Sequence, residues 1–148
     1  MNAFHPREFA CAIIIDTLGR FLFQRRDDVP GILHPGKTGL FGGHREPDDE
    51  SFLQCVVREV HEEISYFVPP ERFDNLVSYD GSDLDIEGGH LRGEIFVARD
   101  IPAEALLVTE GCLRIVEQDD VTVIWSELSM TAQFAMKIFL DKCAAESA

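Results

Sequence analysis

Between Arg58 and Glu63 the chain reads Arg-Glu-Val-His-Glu-Glu, which puts three carboxylates, Glu59, Glu62 and Glu63, within one turn of any helix that forms there. Positions i, i+3 and i+4 share a helix face, so the three side chains become neighbours. Each like-charged pair costs roughly 0.2–0.5 kcal/mol when nothing neutralises it. A hard divalent cation reverses that sign, because Mg2+ takes oxygen ligands, keeps several waters and accepts phosphate oxygens. Left without a cation, the same run is a solvated acidic helix face.

The helix that must carry these acids is legible beside them. Phe52, Val56, Val60 and Ile64 recur at i+4, with Leu53, Cys55 and Val57 close by, which predicts an amphipathic helix capped by Asp48, Asp49 or Ser51. The segment from Gly42 to Phe67 resembles the Nudix hydrolase signature. That signature runs Gly, five residues, Glu, seven residues, Arg-Glu, an apolar residue, any residue, Glu-Glu, any residue, Gly and an apolar residue. Glu50, Arg58, Glu59, Val60, Glu62, Glu63 and Tyr66 match in register. Two positions depart: His44 stands where the family has Gly, leaving Gly43 one residue too far away, and Ser65 replaces the Gly that ends the helix. A left-handed residue is common at such a helix exit, and Gly adopts it most cheaply.

The resemblance implies a single Nudix domain over residues 1–148, an α/β fold built as an α/β/α sandwich with a mixed sheet. It implies Mg2+-dependent hydrolysis of a nucleoside diphosphate linked to another group, by attack of water on phosphorus, with Mn2+ a possible substitute. Glu59, Glu62 and Glu63 match the family's metal ligands, any one of which can instead act as the base, and the carbonyl of Gly43 is the loop's metal-facing group. Glu50 and Arg58 match an ion pair that holds the loop on the helix, and Glu50 can also reach metal. A late carboxylate from a distant loop corresponds best to Glu110, then to Glu94. The other reading of the same resemblance is a Nudix-fold sensor that binds a nucleotide or ADP-ribose-like ligand without turnover. The complete set Glu50, Arg58, Glu59, Glu62 and Glu63 favours the enzyme.

Other residues have two readings each. His44 can contact phosphate or carry a proton, or be a loop histidine in water. Arg25 and Arg26 can clamp phosphate through planar guanidinium forks, but adjacent strand residues point to opposite faces, so at most one does so directly. Trp125 can stack on a base or simply pack. Asp83, Asp85, Glu87, Gly88 and Glu94 fall at positions of a calcium-loop pattern, yet Glu holds position 5 and strand-like segments replace the required helices.

At 148 residues and 45% hydrophobic composition, one core is expected. A formal charge of −14 argues against nucleic-acid polymers and acidic membranes, which attract basic patches. It leaves room for a small phosphorylated substrate if cations bridge the two anions. Cys11, Cys55, Cys112 and Cys143 form no zinc-type pair and read as reduced thiols of a cytoplasmic protein. No basic stretch with a long apolar run opens the chain, and Ala10 to Ile15 is too short to span a bilayer. A homodimer remains open.

Around the acidic helix the pattern predicts a hairpin, Phe9–Ile15 and Arg20–Gln24, turning at Gly19. A loop follows over residues 27–37, then a brief strand over Thr38–Phe41 feeding Gly42-Gly43. Pro69-Pro70 are expected to stop the helix. Phe73–Tyr79 and Leu91–Arg99 read as strands, residues 101–120 as mixed, and Thr131–Ala144 as a closing helix.

Overall fold

The computed structural model describes residues 5–32 and 35–147. The tip of the predicted 27–37 loop, residues 33–34, lies outside them. At the centre, β1 (Arg7–Asp16) pairs in parallel with β6 (His90–Ile101), from Arg7↔Leu91 through Ile14↔Ala98. β1 is covered on two faces along Phe9–Ile15, which is why it reads as a continuous apolar run, while β6 is covered that way only over Ile95–Ala98. The remaining pairings are antiparallel. β5 (Phe73–Ser82) lies outside β6, while β2 (Phe21–Arg25) returns from β1 through the Gly19 turn. β3 (Thr38–Gly39) and β7 (Cys112–Val116) flank β2, and β4 (Phe41–His44) pairs with β1. The seven strands form one mixed sheet, as predicted.

Successive strand side chains point to opposite faces, so each central strand feeds two cores. On one face Ile13, Phe21, Phe23 and Ile95 pack against Ala132, Ala135, Met136 and Phe139 of α2 (Met130–Ser147). Phe21 meets Phe139 edge-on at 5.7 Å between ring centroids. On the other face Ala12, Ile14, Leu22, Phe96 and Ala98 pack against Val56, Val60 and Ile64 of α1 (Phe52–Ile64). Helices therefore sandwich the sheet, the architecture the sequence implied.

Local differences from the sequence reading have identifiable causes. Ser51, one of three predicted caps, is the residue used: its hydroxyl accepts the Gln54 N–H at 3.1 Å. α1 ends at Ile64, before Pro69-Pro70, because Ser65 takes the left-handed conformation (φ 53°) and donates its N–H to the His61 carbonyl. The Thr38–Phe41 strand divides at Leu40 into β3 and β4, which pair with different neighbours. Within residues 101–120, β7 emerges as a strand along β2, with short 3-10 turns on either side. Among the described residues no helix is long and apolar enough to cross a membrane.

Candidate active site

β2 and β4 compete for one edge of β1. β2 takes its C-terminal end, at Ile14↔Leu22 and Ile15↔Phe21, and β4 takes its N-terminal half, from Phe9↔His44 to Ala12↔Phe41. The two strands must part. A cavity of about 320 Å3 opens at the divide, with Gln24 and Arg26 on one wall and Gly42, Gly43 and His44 on the other.

α1 supplies the acidic wall. Glu59 and Glu63, one helical turn apart, both line the cavity. The Gly42 N–H donates to Glu63 Oε1 at 2.7 Å. Burial nevertheless pushes the Glu63 carboxyl up to about 8, with the charges of Glu59 and Glu110 adding to the rise. Glu59 is also raised by burial, against the pull of Arg58, whose Nη1 lies 3.0 Å from its Oε1. Glycine at Gly43 leaves room for the Glu59 carboxylate, since a Cβ would stand 2.5 Å from it and push it aside. The Gly43 carbonyl faces the buried Cys55 thiol at 3.7 Å, a weak bond that leaves acceptor capacity.

Glu62 stands apart from the other two carboxylates of the expected trio. Its side chain is 59% exposed, 3.5 Å from Arg58 and outside the cavity lining. Among the described residues no group of three His, Cys, Asp or Glu side chains is close enough to hold a metal ion. Two carboxylates of α1 line the cavity while the third lies in solvent beside Arg58, one helical turn away.

A second correction concerns the partner of Arg58. The bidentate pair is with Asp49: Arg58 Nε donates to Oδ1 at 3.1 Å and Nη2 to Oδ2 at 2.7 Å. Asp49 is only 4% exposed and also accepts the Glu46 N–H, and the Arg58 bonds hold its carboxyl down at about 2. Glu50 is exposed, away from the cavity, and its N–H donates to the Gln54 side chain. Counting from Asp49 makes Gly43 the glycine five residues upstream. The extra residue of the motif therefore falls between acid and arginine, and His44 is the last residue of β4 rather than the motif's glycine position.

Of the two arginines, Arg26 lines the cavity, and its buried Nε has no hydrogen-bond partner. Arg25 is exposed at the end of β2. Glu110 also reaches the cavity. Glu94 does not; it accepts from Asn75 at 2.7 Å. His44 lies at the rim, 3.2 Å from Arg7 Nη1. Trp125 packs beside the α2 core rather than in the cavity.

The calcium-like loop serves as structure. It joins two strands rather than two helices, and Asp83 accepts a bidentate pair from Arg7 at 2.8 Å on each oxygen. Asp85 accepts the Thr131 hydroxyl at 2.8 Å, which ties the loop to α2 at the cavity edge. The sequence reading missed Arg7, Gln24, Asp49 and Thr131. Only Asp49 and Gln24 left a signal: the spacing from Gly43, and a lone amide in an apolar strand.

A sheet split between β2 and β4, with paired carboxylates on the crossing helix, defines a class that comparison bears out. The family model described as NUDIX domain matches residues 5–123, so the chain belongs to this family and is a Nudix hydrolase. The MutT NUDIX hydrolase from Burkholderia pseudomallei is 25% identical, with a TM-score of 0.70 over 90% of this chain and 97% of that one. Two further structures share the fold at lower identity. The NUDIX domain of Shewanella oneidensis NrtR, complexed with ADP ribose, is 17% identical with a TM-score of 0.74, over 97% of this chain and 90% of that one. A bifunctional NMN adenylyltransferase/ADP ribose pyrophosphatase from Francisella tularensis, complexed with AMP and a Mn ion, is 16% identical. Its TM-score is 0.72, over 97% of this chain and 43% of that one. No curated protein matches the sequence.

Proposed function

We propose that this cavity hydrolyses a small nucleoside diphosphate derivative with the help of a divalent cation, Mg2+ or Mn2+. The observation that carries the reading is the facing of Glu59 and Glu63 on one wall by Arg26 and Glu110 on the others. The donor set fits such a cation. Two carboxylates and the Gly43 carbonyl are hard oxygens, and Gly43 leaves open the space that a Cβ would fill against Glu59. Cys11, at the cavity wall, offers no competing thiolate, because burial raises its pKa well above the usual thiol range. A cation bound there supplies Lewis-acid charge that offsets the diphosphate and eases formation of a nucleophile from water.

The protein's own groups do the rest. Arg26 presents an unpartnered guanidinium N–H that a phosphate oxygen can accept from, a charge-assisted bond in a shielded place. Glu59 and Glu63 hold position because Arg58 and the Gly42 N–H bond them. Arg58 acts at one remove: clamped on Asp49, it fixes the loop from Gly43 to Asp49 on α1. Glu110 brings a third carboxylate to the lining of the same cavity from the loop before β7.

The NrtR domain with its ADP ribose gives the alternative of ligand binding without turnover a concrete basis, as does the exposure of Glu62. Product analysis decides between them. Nucleoside triphosphates, nucleotide sugars, ADP-ribose and dinucleoside polyphosphates are each incubated with Mg2+ or Mn2+, and products are resolved by chromatography. The expected result is cleavage of at least one diphosphate bond. Saturable binding of a nucleotide with no cleavage under either cation would establish the sensor instead.

A further inference from the structure

Gln24 is out of character with its strand. It follows Phe21-Leu22-Phe23 in β2 and is 3% exposed, pairing with Gly39 on one side and Leu113 on the other. Burying an amide without a partner costs roughly 1–3 kcal/mol, so a sequence that keeps one there has given it a bond. The bond is to the loop before β7: Gln24 Nε2 donates to the Glu110 carbonyl at 2.9 Å.

The place of that bond matters. The β2–β7 ladder ends at Arg25↔Cys112, so nothing in the sheet holds Glu110. Between them Gly111 passes so close to β2 that a Cβ would stand 2.2 Å from the Arg25 carbonyl, in a left-handed conformation (φ 66°). Glu110 thus leaves a tight crossing at Gly111 and is caught on its other side by the Gln24 amide. We infer that Gln24 is a positioning residue that fixes the Glu110 backbone so that its carboxylate enters the cavity lined by Glu59 and Glu63.

The inference rests on the proposed hydrolytic role of the cavity and adds a residue that acts only through another. Two other roles make different predictions. An amide that only satisfies the core would change stability and not rate. One that touches substrate would change binding whether or not Glu110 is present.

A double-mutant cycle separates these roles. kcat and KM are measured for the wild type, Gln24→Leu, Glu110→Gln and the double variant on the best substrate, and amide hydrogen exchange is followed at residues 106–111. Misplacing a reacting group by about 1 Å can cost up to ~100-fold, so Gln24→Leu should lower kcat about tenfold with KM within about twofold. Exchange at residues 110 and 111 should rise, and the double variant should be no slower than Glu110→Gln alone. Losses that multiply in the double variant, or unchanged exchange in the loop, overturn the inference while leaving the hydrolytic reading intact. Wild-type kcat in Glu110→Gln overturns the placement of Glu110 and this inference with it. Gln24→Met keeps the side-chain length without the donor, and takes over the cycle if the leucine variant fails to fold.

Discussion

Replacing Asp49 by Asn tests the structural reading of the helix–loop clamp. Arg58 holds the Asp49 carboxyl at about 2, against 3.8 for the free group. At about 1.4 kcal/mol per pKa unit that difference is worth at most roughly 2 kcal/mol, because Asp49 is covered but its Arg58 partner is partly exposed and solvent screens part of the pair. The folded value lies below the unfolded one, so the contribution is fully present above about pH 4 and is lost as pH falls toward 2. Asp49→Asn should therefore lose at most about 2 kcal/mol at neutral pH, or roughly 4–8 °C in melting temperature for a domain of this size. The gap to wild type should narrow as pH falls from 4 toward 2. Arg58→Ala should cost more, about 3 kcal/mol, because it strands a buried carboxylate, and should slow turnover by loosening the loop. Glu50→Gln should stay within about 0.5 kcal/mol of wild type. Urea denaturation of the three variants at pH 7, with Asp49→Asn and wild type repeated down to pH 3, measures all of this. A neutral Asp49→Asn beside a destabilised Glu50→Gln would refute the assignment and restore the pairing that the sequence suggested.

The other expectations are narrower. Ser65→Gly relieves about 1 kcal/mol of left-handed strain against roughly 0.5 kcal/mol of added unfolded-state freedom, so calorimetry should show a rise of one or two degrees, and a fall would contradict the cap geometry. Arg26→Lys should raise KM by roughly 10–100-fold, the worth of a charge-assisted hydrogen bond, while Arg25→Lys changes it by no more than about twofold; equal effects would remove Arg26 from the phosphate. Asp83→Asn should cost roughly 2 kcal/mol whether or not Ca2+ is present, because its partner is Arg7 and its carboxyl is held at about 2. Thermal shifts that Ca2+ raises far more than Mg2+, and that Asp83→Asn erases, would revive the calcium loop.

Much of the fold was legible because its signals are local. The i+4 stripe of α1, the turn at Gly19 and the apolar run of β1 each declare an element without reference to the rest. The site was legible only along one segment. Glu59, Glu63, Gly43 and Arg58 lie within a single motif, but Arg7, Gln24 and Thr131 arrive from three other elements, and their roles exist only after β2 and β4 part around β1. The pairing of Arg58 shows the limit of register. Motif spacing pointed to Glu50, yet burial selects Asp49, the acid beneath the guanidinium rather than the one in solvent. Glu62 shows the same limit, since helical periodicity places it beside its neighbours but says nothing of which carboxylates the sheet covers.

The central claim is that the buried carboxylates of α1 make this cavity hydrolytic, and Glu63→Gln tests it most directly. The substitution keeps the shape and the acceptor for the Gly42 N–H while removing the oxygen that can ionise. kcat on the best substrate is measured at saturating Mg2+ for wild type and variant, with nucleotide binding followed by calorimetry. The account predicts a loss of 100-fold or more in kcat, on the order of 3 kcal/mol or more, with the melting temperature held or raised because an amide is buried there without the proton uptake that a carboxyl raised to about 8 requires. Turnover within a few-fold of wild type at saturating Mg2+ would contradict it.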